Sequence, residues 1–318
     1  MDWSAGGPHA ALVGARAIHF GASALLAGAL LFRAVVAGPP SAVSPPATAR
    51  VDWLTIWTAR GALAASVASG VVWFTLTAAE MGGLPLPEAI KPDVLQMIAV
   101  ATQFGSVAMV RLALAIATAI LLALDRITSA RWLALAASLA LAASIAWTGH
   151  SGSGFGPTGN IELVADALHI VAASAWIGGL VPLALLLSTA LDPSGSWLPI
   201  AGAVTQRFSI LGIVSVATLI ASGVTNAWFL VGSLAALIGT EYGRVLMLKL
   251  ALFGVMLAFA AVNRTVLTPQ LAAGSGGGGL VALRKLVRHC VYEIILGFGV
   301  VSVAAWLGTL HPASHFMN

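Results

Sequence analysis

Two of the seven histidines in this sequence, His19 and His169, fall inside long apolar stretches. Each lies about nine residues from one end of its stretch, roughly 12–14 Å along a helix that rises 1.5 Å per residue. A polar ring at that depth in a membrane is costly without a partner and defaults to a functional hypothesis. A pair of imidazoles suits copper or haem iron. The alternative is that each ring hydrogen-bonds a neighbouring helix and only holds a bundle together. Asp166 precedes His169 by three residues and shares its helix face, so it could orient the imidazole or join a metal site. Arg16 holds the matching place before His19 and is positioned to pair with Asp166. Trp176, seven residues after His169, could wall the site. Met109 and Met247 carry thioethers, which select Cu(I). However, Arg111 and Lys249 follow them by two residues, about 200° around a helix. If these cations face the interior, the thioethers face away. Met81, beside Glu80 at the end of its stretch, is freer to act. Glu293 lies midway along the last apolar stretch, where Arg111 or Lys249 is expected to neutralise it; the alternative is a step on an ion or proton path.

The elements that must carry these residues follow from composition. Of 318 residues, 59% are hydrophobic and only 8% charged, where a soluble domain carries about 25%. The mean hydropathy is +0.98. There is too little polar surface to coat a globule in water, which excludes a soluble enzyme and a disordered chain. The pI of 9.8 does not make this a nucleic-acid binder, because the net charge of +4 comes from 15 basic and 11 acidic residues, too few for a phosphate-tracking patch. One cysteine, Cys290, rules out a disulfide framework and a CxxC metal site. No phosphate loop, HExxH pair or serine nucleophile elbow appears, so a transport protein is expected rather than an enzyme.

A spanning helix needs about 20 mostly apolar residues. Eight stretches qualify, near 10–37, 53–80, 94–124, 131–148, 161–189, 205–234, 243–268 and 284–310, so an all-α polytopic bundle is expected. No signal peptide is read before the first. Orientation follows from Lys and Arg in the connections. Nine fall on one side (Arg33, Arg50, Arg126, Arg131, Arg207, Arg264, Arg284, Lys285 and Arg288) and two on the other (Lys91 and Arg244). The first side is therefore expected in the cytoplasm and both termini outside. His9, His150, His311 and His315 then share the outer face, a collecting surface for a soft or borderline cation. His289 falls at the cytoplasmic start of the last stretch.

The chain also repeats itself. Ala-Arg-Ala-Ile-His19, with Gly28 nine residues on, matches Ala-Asp-Ala-Leu-His169 with Gly178. Thr102, Gly105, Met109 and Arg111 match Thr240, Gly243, Met247 and Lys249. Ser69-Gly70-Val71 matches Ser222-Gly223-Val224, and Ala146-Trp147 with Gly149 matches Ala305-Trp306 with Gly308. The order predicts two four-helix repeats, residues 1–150 and 151–318, within one membrane domain. An even number of spans per repeat keeps them parallel, with a pseudo-twofold axis along the membrane normal. The two buried histidines are then expected at one depth.

One set of segments resembles the copper resistance D (CopD) family of bacterial inner-membrane proteins. These are Leu168-His169, Ala175-Trp176-Ile177-Gly178-Gly179-Leu180, Gln206-Arg207-Phe208-Ser209, Thr240-Glu241-Tyr242-Gly243-Arg244, Lys249-Leu250, Val262-Asn263-Arg264, and Glu293 to Leu307-Gly308. The likeness is densest over residues 145–312. It implies eight spans and copper handling, usually uptake with a periplasmic copper-binding partner of the CopC type. Some members carry that partner fused; here it is expected as a separate protein. His169, Trp176, Gly179 and Leu180 are also similar to the haem-holding helix of membrane protoporphyrinogen oxidases. That implies haem b as the competing cofactor, in a cytochrome-like redox protein using the same histidines.

Overall fold

The computed structural model describes residues 8–37, 45–149, 156–191, 197–273 and 277–316. Among them there is no strand. Eight helices are long and apolar enough to cross a bilayer: α1 His9–Val36, α2 Ala49–Gly82, α3 Gln103–Ala123, α4 Thr128–Thr148, α5 Gly156–Thr189, α6 Leu198–Leu230, α7 Glu241–Ala273 and α8 Gly278–Leu307. The protein is a multi-pass membrane bundle. Helices are the form such segments must take, because lipid offers the backbone no hydrogen-bond partners.

One expected span is shorter than its apolar run. The stretch read as 94–124 is two helices, Pro92–Ala101 and α3, broken at Thr102. Thr102 is extended, and its hydroxyl accepts from Gly105 N at 2.9 Å, as an N-cap does. Thr240 caps α7 in the same way through Gly243 N at 3.0 Å. Glycine is required at both positions, since a Cβ on Gly105 would collide with Ile98 O and one on Gly243 with Leu237 O.

Helices α1 and α5 form the centre. Helix α1 packs on α2, α4, α5 and α8, and α5 packs on α1, α4, α6 and α8. The two cross at Gly28 and Gly178, and the contact is reciprocal. A Cβ on Gly28 would meet Ser174 O, and one on Gly178 would meet Ala24 O and lie 3.0 Å from Gly28 Cα. Small residues permit such close backbone approach between membrane helices. Around the crossing, Leu26, Phe32, Trp176, Leu180 and Leu187 are buried.

Three helices widen into π-turns, at Phe32–Val36 in α1, Ser174–Gly178 in α5 and Asn263–Leu267 in α7. In α5 the cause is local: Pro182 cannot donate to the Gly178 carbonyl four residues back, and its ring crowds it. In α1 the turn carries Arg33, whose guanidinium bonds both Asp52 of α2 (Nη2 to Oδ2, 3.0 Å) and Asp125 beyond α3 (Nη2 to Oδ2, 2.8 Å).

Candidate functional site: two imidazole–cation pairs

Each buried histidine is held within its own half, by a serine from the next helix and a cation from the one after. His19 Nδ1 donates to Ser66 O at 2.8 Å, with Ser69 Oγ 3.3 Å away. Its Nε2 accepts from Arg111, whose Nη1 donates to Ser144 Oγ (2.6 Å) and Leu141 O (3.0 Å). The ring lies 5.2 Å from that of Trp73, and Gly70 makes room for it, since a Cβ there would stand 3.1 Å from Cε1. His169 Nδ1 donates to Ser222 Oγ at 3.0 Å, its Nε2 lies 3.5 Å from Lys249 Nζ, and Gly223 faces its Cε1. The serine hydroxyls donate one turn back, Ser69 to Ala65 O and Ser222 to Thr218 O, each at 2.6 Å.

The two sites differ in tightness. His19 and Arg111 are buried, and Arg111 is anchored at three points. His169 is only partly buried, and a single long contact joins it to Lys249. A groove of about 550 Å³ between α5 and α6 runs past Leu168 and Ser222. Neither imidazole meets the other by a hydrogen bond or ring contact among the described residues; the crossing is occupied by Gly28 and Gly178 instead.

The surroundings diverge too. Arg16 lies 5.4 Å from the Phe20 ring centroid and 5.3 Å from that of Trp73. The carboxylate nearest in influence is Glu80, not Asp166 as expected. Asp166 instead accepts from Asn226 Nδ2 at 3.3 Å; its charge and that of Glu162 act on Tyr242, and its charge also acts on Lys249. The reason is that each residue packs against its own half's next helix, α2 for Arg16 and α6 for Asp166.

Glu293 is buried, but neither Arg111 nor Lys249 neutralises it. It accepts from Asn263 Nδ2 at 2.6 Å and from Trp176, and Asn263 Oδ1 accepts from His289 Nδ1 at 2.8 Å. Asn263 lies 14 residues beyond Lys249 on α7, roughly 21 Å along the axis, which takes Glu293 out of Lys249's reach.

The remaining predicted residues are on surfaces. His9 Nε2 lies 3.4 Å from Thr309 Oγ1, and His311, two residues on, is exposed. Glu80 and Met81 are exposed. His150 and the side chain of His315 lie outside the described residues. Met109 and Met247 are 45% and 37% exposed, turned away from Arg111 and Lys249 as the helical wheel requires. Among the described residues no group of three or more His, Cys, Asp or Glu side chains is placed to hold a metal ion. Nε2 of each imidazole, the atom an axial haem bond would use, faces Arg111 in one site and Lys249 in the other.

Sequence reasoning missed Ser66, Asn226, Glu162 and Tyr242 as partners of the site. Ser69 and Ser222 were visible as a repeated Ser-Gly-Val, but nothing in the spacing says that they face an imidazole.

Comparison with known proteins adds the family. A model described as "Copper resistance protein D" matches residues 202–307, and one described as "Copper resistance protein D-like, N-terminal domain" matches residues 7–160. The chain is 32% identical over 222 residues to copper resistance protein D of Pseudomonas syringae pv. tomato, covering 68% of this chain and 71% of that one. It is 30% identical over 250 residues to the inner membrane protein YebZ of Escherichia coli (strain K12), covering 76% and 82%. Over 132 residues it is 32% identical to the copper transport protein CutJ of Bacillus subtilis (strain 168), 41% of this chain and 23% of that one. No solved structure matches. With matches across both halves and a relative covered for more than four-fifths of its length, this chain belongs to the copper resistance protein D family of membrane proteins.

Proposed function

We propose that this protein carries copper through the bacterial inner membrane, taking it up from the periplasm along a path in its second half, with His169 as the intramembrane ligand. The observation that carries this reading is a line of polar groups along α5. Glu162, Asp166, Asn226 and Tyr242 stand before His169 and Lys249. Trp176, Glu293, Asn263 and His289 follow. Copper is the cargo here, not a resident cofactor. Lys249 occupies the cation position at His169 Nε2 when no ion is bound. An arriving ion replaces one cation by another, which limits the charge added to a low-dielectric site. The carboxylates at the mouth and the buried Asn226 Oδ1, which has no hydrogen-bond partner among the described residues, supply oxygen to the ion on entry. Glu293 receives it on the far side. His9 and His311, with His150 and His315, collect ions at the outer face, where a periplasmic copper-binding protein of the CopC type delivers them.

Arg111 is too firmly anchored for the same exchange, so His19 holds the first half together. The matched serine, glycine and cation contacts of the two sites, and the reciprocal glycine crossing, support the reading of residues 1–150 and 151–318 as parallel four-helix repeats.

The test is uptake of radioactive copper by cells with and without the protein. Cells with it are expected to accumulate more copper. His169→Ala is expected to lose uptake on the order of tenfold or more, the scale on which perturbed metal sites lose affinity. Normal uptake by a well-folded His169→Ala protein would exclude this path. Copper falling on expression would reverse the direction.

A further inference from the structure

A second polar site lies at the outer end of the first half, and nothing in the copper path uses it. It is a cavity of about 310 Å³ where α1, α2, the start of α3, the end of α4 and the end of α8 meet. Its lining includes Arg16, Trp73, Thr77, Glu80, Gly308 and Thr309. Arg16 is 8% exposed and Trp73 3%. Arg16 Nε and Trp73 Nε1 have no hydrogen-bond partner among the described residues. Both are obligate donors, and a buried donor left unsatisfied is costly. The cost is larger for a charged group, which in a membrane interior is normally paired. The ion pairs of the described residues use Arg33 and Arg131, not Arg16. Glu80 influences Arg16 from the exposed rim without closing a salt bridge to it.

The site is built to hold the guanidinium in place. Phe20 and Trp73 flank it, and Gly308 leaves the space it fills, since a Cβ on Gly308 would run into the guanidinium. Two donors, one carrying a full positive charge, belong to residues that line one cavity, and neither has an acceptor among the described residues. The matching place in the second half has the opposite character. There Asp166 replaces Arg16, and Asn226, with its own unpartnered Oδ1, replaces Trp73.

We propose that the cavity between Arg16 and Trp73 is a binding site for a compact monovalent anion, a halide or a small carboxylate, held by Arg16 Nε–H and Trp73 Nε1–H. The anion is the hydrogen-bond acceptor that Arg16 Nε lacks. The assignment stands independently of the copper path.

The full chain, purified in detergent and exchanged into sodium Hepes, tests it with chloride and acetate as probes at constant ionic strength. Chloride binding is read from the excess line width of its NMR signal, and acetate from its displacement of chloride and from the rise in unfolding midpoint. The wild-type protein is expected to bind at least one of the two saturably. Displacement of chloride by acetate assigns the site to both anions; binding of one alone assigns it to that class. Trp73→Phe keeps the aromatic packing, removes one donor and is expected to weaken binding about tenfold, as loss of one hydrogen bond to a charged group does. Arg16→Gln is expected to abolish it, while Arg60→Gln, at a guanidinium that lies over the Trp57 ring and donates to Leu122 O outside the cavity, leaves it unchanged. If neither probe binds saturably, or if Trp73→Phe binds as the wild type does, the proposal fails, whether or not Arg16→Gln folds.

Discussion

His19 and His169 are the same residue in matching sequence, yet their partners set them apart. Arg111 makes three hydrogen bonds, all of which it must give up to leave, while Ser144 Oγ keeps its own bond to the Leu141 carbonyl; Lys249 has one contact to His169 at 3.5 Å. The two alanine variants are therefore expected to fail differently. His19→Ala removes an acceptor from a buried guanidinium and is expected to cost about 1–3 kcal/mol of stability. His169→Ala is expected to cost less than half as much while losing uptake. Unfolding in mixed micelles, read beside copper uptake, separates them. Equal stability losses would show that Lys249 is as fixed as Arg111.

At the scale of helices, the bundle depends on one crossing. Gly28 and Gly178 let α1 and α5 approach until each backbone meets the other's carbonyl. Gly28→Leu or Gly178→Leu forces the helices apart and is expected to destabilise by at least the 1–3 kcal/mol typical of overpacking. Because both changes strain one contact, the double variant is expected to cost less than the sum. Gly14→Ala and Gly61→Ala have no atom within 4 Å of the added Cβ and serve as neutral controls. Unfolding midpoints and the yield of monodisperse protein measure both. Additive losses in the double variant would mean that the two glycines do not share a contact.

For the whole molecule, the charge of the connections sets the expected orientation. The described helices cross in sequence, and the Lys and Arg of their connections are divided nine to two. Reporter fusions after residue 150 and at residue 318 are expected to read periplasmic, and fusions within residues 274–279 cytoplasmic. Paired alkaline phosphatase and fluorescent-protein fusions check this. A cytoplasmic reading at residue 318 would invert the copper path and place the outer histidines on the wrong side to collect ions.

Span number, helical class and family were legible in the sequence, because the bilayer imposes one simple rule on length and polarity and leaves the backbone one solution. The matched residues were legible too, down to Ser69 and Ser222, because the two sets share order and spacing in the sequence. Their roles were not. Spacing on one helix says which residues share a face, but which helix that face meets depends on packing. Arg16 turned to Trp73 and Glu80, Asp166 to Asn226, and Glu293 to Asn263 and Trp176. The break at Thr102 was hidden for a related reason: hydropathy cannot see a side-chain cap inside an apolar run. The sequence by itself determined what the membrane demands of each helix. Only the tertiary structure decided which polar groups became partners, because a buried hydrogen bond needs two atoms within about 3 Å and the right direction, and no one-dimensional pattern encodes that between separate helices.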